Sequence, residues 1–295
     1  MTEHFLRFQS EQANLSAILH LPENNCEADN KGIGVLIIVG GPQYRVGSHR
    51  QFVKLSRALA KHGIASMRLD ITGMGDSTGT AAPFYHQTTD IEFAVEQFFL
   101  VCPQLKSLVL WGLCDAASAI LIKLNRPDPR ISGIVLLNPW VRQAQNHAQV
   151  KLKYYYLQRL FKKQFWLKCF SGGLALRKSF LDLLQTIQTI RQDYPQKENN
   201  TVSFKTDEIP TITENNYVDI MLAGWQRFSG KILLISSELD LTAKEFFRLC
   251  QQDPSWKYCL QQANQQVITG ANHTFSSQHW REQVEQASLD FIQRL

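Results

Sequence analysis

The sequence lacks any hydrophobic segment long enough to cross a bilayer, and it lacks paired-cysteine motifs. Its longest apolar run, around 33–39, is far short of the roughly 20 residues that a membrane-spanning helix needs. Six cysteines are scattered over 295 residues without a CxxC pair, which favours free thiols in a reducing compartment and predicts a cytoplasmic protein. The first residues do not form a basic segment followed by an apolar one, so we expect no secretion signal.

Glycine, proline and charge are all present in ordinary amounts. The 16 glycines and 10 prolines exclude a collagen-like chain, and 44% hydrophobic residues exclude a disordered one. A net charge of +5 is too small by itself to indicate nucleic-acid binding. The length suits a single α/β domain with an insertion, and it also suits two ordinary domains.

Short apolar segments alternate with segments of helical periodicity along most of the chain. The predicted strands are 4–9, 15–21, 33–39, 64–69, 106–111, 131–137, 231–235 and 266–268. The predicted helices are 51–61, 90–101, 115–124, 241–250 and 275–295. All-apolar strands alternating with helices indicate a mostly parallel central sheet flanked by helices on both faces, and the first two strands are expected to form an antiparallel edge.

The region 140–229 interrupts this alternation, because it contains no βαβ unit. It has a helical, polar and aromatic first part and then becomes rich in Gln, Asn and Thr. We therefore expect an α/β core formed by 1–139 and 230–295, with 140–229 inserted as a helical cap or lid.

A strand runs directly into a helix through the sequence Gly112-Leu113-Cys114-Asp115-Ala116. This pattern is typical of a nucleophile elbow, in which small residues two positions before and after the nucleophile let strand and helix approach closely. Cys114 takes the place where serine is commoner, at a helix N-terminus whose amides favour a thiolate. The alternative is a buried structural cysteine in a strand–helix turn.

An acid and a base are expected after the two later strands, because the order along such a fold is nucleophile, acid, base. Asp240 follows the strand 231–235 and is the predicted acid, with Glu238 as its rival and helix capping as its alternative role. His273 follows the strand 266–268 and is the predicted base.

The loop after the third strand is where a second oxyanion-hole donor is expected. Pro42 has no N–H group, so Gly41 or Gln43 would supply this donor together with the amide of Asp115. An ordinary tight turn is the alternative.

Basic side chains close to this loop would suit an anionic group on a substrate, or they are solvated surface. They are Arg45, His49 and Arg50. The glycine-rich segment 68–77 has neither the lysine of a Walker motif nor the spacing of a dinucleotide fingerprint. We expect it to be a structural loop that borders the site.

These motifs together resemble the α/β-hydrolase superfamily across nearly the whole chain. More narrowly, three strings resemble the type one exosortase A system-associated hydrolases, which occur beside bacterial exopolysaccharide and protein-sorting genes. They are V-G-G-P-Q-Y-R-V-G-S-H-R, W-G-L-C-D-A-A-S and L-L-N-P-W-V-R, at 39–50, 111–118 and 136–142. The resemblance implies an α/β-hydrolase fold in the cytosol and a Cys–Asp–His triad of Cys114, Asp240 and His273. It implies no particular substrate.

Positive charge is concentrated in the predicted cap. Between 141 and 181 there are nine Lys and Arg residues and no Asp or Glu, so the rest of the chain is net negative. Aromatic residues are interleaved with them. The segment would dock on anionic lipid, or hold an anionic, lipid-linked substrate over Cys114, or pack its aromatic face on the sheet with its lysines solvated. No nucleic-acid recognition motif accompanies the charge.

The residues therefore predict acyl transfer, with hydrolysis of an ester or thioester as the expected reaction and without a metal or organic cofactor. An acyltransferase with the same triad is one alternative, because thioesters pass their acyl group readily to other acceptors. A non-catalytic binding module on a hydrolase scaffold is the other.

Overall fold

The computed structural model describes residues 2–11, 13–22, 32–41, 43–141 and 211–295. Eight strands lie in these ranges: β1 (Thr2–Gln9), β2 (Asn14–Leu21), β3 (Ile33–Ile38), β4 (Ser66–Leu69), β5 (Ser107–Leu113), β6 (Ile131–Leu137), β7 (Lys231–Ser237) and β8 (Asn264–Ile268). The α-helices described are α1 (Gln51–Lys61), α2 (Thr88–Val101), α3 (Asp115–Lys123), α4 (Tyr217–Arg227), α5 (Leu241–Gln252), α6 (Pro254–Gln262) and α7 (Gln278–Gln293). Two short 3₁₀ turns lie at Ser48–Arg50 and Phe84–His86.

All eight strands belong to one sheet in the order β1-β2-β4-β3-β5-β6-β7-β8. The six strands from β4 to β8 in this order run parallel to one another. β2 pairs antiparallel with both β1 and β4, so an antiparallel pair forms one edge. The predicted fold class, a mostly parallel sheet flanked by helices, is confirmed. The carboxyl ends of β3 to β8 meet along one edge of the sheet, where the chemistry of such folds is found.

The central strands are buried on both faces, because helices cover the sheet. Every residue of β3 is buried, and β5 and β6 are almost entirely so. Helix α1 buries Phe52, Leu55 and Leu59 at helical spacing and exposes Lys54 and Lys61. This amphipathic pattern gives the helix one apolar face to pack against the sheet, and burial of that face supplies most of its stability.

Two elements at the carboxyl-terminal side differ from the sequence prediction. The last helix was predicted to begin at residue 275, but it begins at Gln278, where Ser277 caps the Trp280 amide. Phe275 has a positive φ of 49°, which ends any helical path before that point. Helix α6 was not predicted; Pro254 occupies its first turn and Asp253 caps it.

Contacts between Cα atoms divide the chain into two compact units. One combines 1–141 with 210–295, and the other is 142–209, which lies outside the described residues. Helix α4, within the range 140–229 predicted as the cap, therefore belongs to the same unit as the sheet and packs against α3. None of the helices in the described part of the chain combines the length and hydropathy that a membrane span requires.

Candidate active site

Cys114 lies at a sharp turn between β5 and α3. Its backbone has φ 63° and ψ −122°, a conformation that side-chain-bearing residues rarely adopt and that marks strained functional positions. Its amide donates to the Leu137 carbonyl at 2.8 Å, which fixes the turn to the end of β6. A Cβ atom on Gly112 would lie 2.9 Å from backbone atoms of α3, so glycine permits the close approach that the sequence pattern predicts. The Cys114 side chain is partly exposed.

Asp240 and His273 meet at the carboxyl ends of β7 and β8. The Nδ1 atom of His273 lies 2.9 Å from Oδ2 of Asp240. The same carboxylate caps helix α5 by accepting the amides of Thr242 and Ala243, which is the alternative role considered from the sequence. Its rival Glu238 instead accepts the Gly270 amide at 2.7 Å.

His273 also lies close enough to Cys114 for the two side chains to interact. Burial works against the imidazolium, but the hydrogen bonds to Asp240 and Cys114 and the negative charges on those groups outweigh it and raise the pKa of His273 to about 10. The imidazolium therefore persists through neutral pH.

Asn138 holds the histidine loop and was not identified from the sequence. It is fully buried, directly after β6, and has a positive φ of 43° that asparagine tolerates better than most residues. Its Nδ2 atom donates to Oγ of Ser237 at 2.8 Å and to the His273 carbonyl at 3.1 Å. Its Oδ1 atom accepts the Ser237 amide at 2.9 Å. The only sequence signal was its place in the string L-L-N-P-W-V-R, at 136–142.

The predicted oxyanion-hole residues are Asp115 at the elbow and Gly41 and Gln43 in the loop after β3. The carboxylate of Asp115 accepts the amide of Ala116 at 2.9 Å, and the backbone amides of Gly41 and of Asp115 itself lie close enough to favour its charged form. Burial raises the pKa of this carboxyl, and those amides and His273 oppose the rise. Gln43 is half-buried, and its side-chain oxygen is buried without a hydrogen-bond partner among the described residues.

Arg45, predicted from the sequence as a contact for an anionic substrate, is buried in an ion-pair network. Its guanidinium binds the buried carboxylate of Asp70 and, at 2.8 Å, that of Asp76. The Arg68 guanidinium donates to the Arg45 carbonyl at 2.6 Å. Because two carboxylates already neutralise Arg45, its contacts are those of a residue that holds the loop after β3 in place.

The other two basic residues of this loop, His49 and Arg50, are exposed and have positive φ angles of 54° and 61°. They lie in the 3₁₀ turn that precedes α1. The glycine-rich segment that follows β4 wraps around Asp70: a Cβ on Gly75 would lie 2.3 Å from that carboxylate. These contacts fit the structural role expected for the loop.

The cysteines other than Cys114 that the structure describes are Cys102, Cys250 and Cys259, and all three are buried with free thiols. Burial raises their pKa values to about 11, 12 and 11 respectively. Cys26 and Cys169 lie outside the described residues. Within the described ranges, no group of three or more His, Cys, Asp and Glu side chains is arranged to hold a metal ion.

The strand order, the strand–elbow–helix turn and the positions of Asp240 and His273 after β7 and β8 define an α/β-hydrolase fold with cysteine at the elbow. Solved structures of this fold match nearly the whole chain. Est1E from Butyrivibrio proteoclasticus, solved with ferulic acid bound, is 15% identical, covers 98% of both chains and has a TM-score of 0.60.

Two other similar structures come from a Penicillium species and from Pyrococcus furiosus. GrgF, an α/β hydrolase from Penicillium sp. sh18, is 16% identical with a TM-score of 0.58, covering 100% of this chain and 99% of its own. The esterase Pf2001 from Pyrococcus furiosus is 16% identical with a TM-score of 0.60, covering 99% and 91%. At these identities the likeness establishes the fold. No model of a known protein family matches the chain, and no curated protein matches its sequence.

Proposed function

We propose that this protein is a cysteine-dependent acyl hydrolase that cleaves an ester or thioester. The observation that carries the proposal is the arrangement of His273, which bonds Asp240 through Nδ1 at 2.9 Å and interacts with the Cys114 side chain. A base that is oriented by a carboxylate and interacts with a thiol supports nucleophilic catalysis. The similar structures include an esterase.

The proposed reaction has two steps. The Cys114 thiolate adds to the substrate carbonyl, and the oxyanion is held by the Asp115 amide and by an amide of the loop after β3. Collapse breaks the bond to the leaving group, which takes the proton of the His273 imidazolium. His273 then removes a proton from water, the hydroxide attacks the thioester on Cys114, and the carboxylic acid leaves with the thiolate restored.

The substrate class is proposed from charge. Since Asp70 and Asp76 already bind Arg45, recognition of an anionic or lipid-linked group would fall to the basic residues of 142–178 or to the exposed His49 and Arg50. We also keep, as proposals, contact of that basic segment with anionic membrane and membership of the exosortase A system-associated hydrolases. The sequence strings and the charge pattern support them.

Turnover of short acyl esters and acyl thioesters tests the proposal. Cys114→Ala should abolish turnover, and mass spectrometry of the parent should show an acyl group on Cys114 during turnover. His273→Ala should lower kcat at least about 100-fold, since general acid–base catalysis contributes about 10²–10⁴-fold. Asp240→Asn should lower it as well, because His273 loses its orienting partner.

Matched controls separate the proposed residues from their neighbours. His279→Ala changes an exposed histidine of α7, and Glu238→Gln changes the rival acid; both should leave kcat within about twofold of the parent, as surface changes usually do. Full turnover by Cys114→Ala would remove the mechanism. Absence of an acyl adduct with every substrate would instead favour a non-catalytic binding module.

A further inference from the structure

The carboxylate of Asp115 is turned towards the loop that follows β3. Asp115 is the first residue of α3, and it is only partly exposed to solvent. Its Oδ1 atom would lie 2.1 Å from a Cβ on Gly40, and its Oδ2 atom 3.4 Å from a Cβ on Gly41. Both oxygens therefore face the loop after β3, and the carboxylate fills the space between that loop and the elbow.

Two of the amides next to this carboxylate are those that an oxyanion hole needs. The Asp115 amide follows the nucleophile, and the Gly41 amide belongs to the loop where the second donor is expected. Both lie close enough to the Asp115 carboxylate to favour its charged form, and the Ala116 amide donates to it at 2.9 Å. The position for a developing oxyanion is thus already taken by a negatively charged group of the protein.

From this geometry we propose that Asp115 is the resting occupant of the oxyanion hole, and that a substrate carbonyl must displace its carboxylate before Cys114 can be acylated. The inference rests on the proposed function. It makes Asp115 a gating residue that acts through the backbone amides, because donors that stabilise a transition state must be free when the charge develops.

The surroundings make this occupancy stable yet reversible. The three amides and the positive charge of His273 favour the carboxylate, whereas burial disfavours it and raises its pKa. Gly40 supplies the room, since any side chain there would collide with Oδ1. A substrate that brings its own partial negative charge to the same amides can therefore replace the carboxylate, at a cost that slows acylation.

Two reactions of Cys114 separate this gate from other effects of the charge. Acylation by p-nitrophenyl acetate forms an oxyanion, whereas alkylation by iodoacetamide displaces iodide and does not use the oxyanion hole. Both depend on the thiolate. The ratio of the acylation to the alkylation rate constant therefore measures how available the oxyanion hole is. A change in the thiolate fraction alters both rate constants together and leaves the ratio unchanged.

The experiment measures both rate constants at pH 7 for the parent, Asp115→Ser and Asp115→Asn, in full-length chains with Cys26→Ser and Cys169→Ser. Asp115→Ser should raise the acylation-to-alkylation ratio at least about tenfold, since one oxyanion-hole donor is worth about 10²–10³ in rate. Asp115→Asn, equal in size, should raise it less, because its oxygen still accepts the amides without a full charge.

An unchanged or lowered ratio in Asp115→Ser would overturn the gate while leaving the proposed function intact, provided that the parent is acylated on Cys114. If no variant is acylated although Cys114 is alkylated, the proposed function fails, and the gate fails with it. Thermal unfolding of each variant identifies loss of fold, and Asp115→Asn gives a second determination of the ratio if Asp115→Ser is unfolded.

Discussion

The positions of Cys114 and His273 depend on two adjacent residues at the end of β6 that take no part in the proposed chemistry. The Cys114 amide is bound to Leu137, and the next residue, Asn138, holds the His273 carbonyl and both the amide and hydroxyl of Ser237. Ser237 in turn donates to the Asn272 carbonyl at 2.9 Å. The end of β6 is therefore a shared support for the elbow and the histidine loop.

We predict that Asn138→Ala destabilises the protein and lowers kcat more than it raises KM. The substitution leaves a buried amide and a buried carbonyl unpaired, which costs about 1–3 kcal/mol for each such group. Denaturant unfolding and steady-state kinetics measure the two effects. Asn138→Gly is the control, because it removes the same bonds without strain at φ 43° and should be the more stable variant. Parent-like kcat in Asn138→Ala would contradict the positioning role.

At the scale of elements, the strands and helices that carry Cys114 follow from periodicity. The all-apolar strands and the helix after Gly112 were predicted because buried parallel strands and amphipathic helices have distinct patterns. The loop at 275–277 was not predicted, because no sequence pattern indicates the positive φ of Phe275. Helix α6 was not predicted, because it is short and polar on most faces. Asn138 and the folded-back Asp115 side chain were missed for a related reason. Neither hydrogen bonding across the sheet nor rotamers can be obtained from spacing.

Gly112→Ala tests the contact between β5 and α3. The added Cβ would lie 2.8 Å from Ile120 and 2.9 Å from the backbone at Ala116 and Ala117, so strand and helix must separate. We expect a loss of about 1–3 kcal/mol in the free energy of unfolding, as overpacking in a core usually costs. Gly133→Ala is the matched control: its Cβ would meet side-chain atoms and one carbonyl at 3.2–3.3 Å, and it should cost less. Equal stability of the two variants would count against the close packing.

For the molecule as a whole, His20 and His273 have opposite effects on how the free energy of unfolding depends on pH. Burial and the nearby Arg68 charge lower the pKa of His20 to about 4, so folded His20 stays neutral where the unfolded chain takes up a proton. Its contribution to stability is present above about pH 6.5 and is lost as the pH falls towards 4. His273 acts in reverse: its contribution is complete below the unfolded value and is lost as the pH rises through about 10.

We therefore predict that the free energy of unfolding falls by about 2 kcal/mol between pH 7 and pH 5 through His20 alone, by linkage to its protonation in the unfolded chain. Urea unfolding at both pH values measures this fall. His20→Gln should be less sensitive to pH over the same interval, whereas His4→Gln, which changes an exposed histidine of β1, should behave like the parent. An equal fall in His20→Gln and the parent would exclude His20 as the cause.

The sulfur and the imidazole of the proposed mechanism follow strands that are far apart in the chain, β5 and β8. During synthesis the elbow emerges long before residue 273, so a nascent chain carries an ordinary thiol with no base beside it. The proposed mechanism therefore requires that β8 has joined the edge of the sheet. By that mechanism, Cys114 of a partly folded molecule would not be acylated.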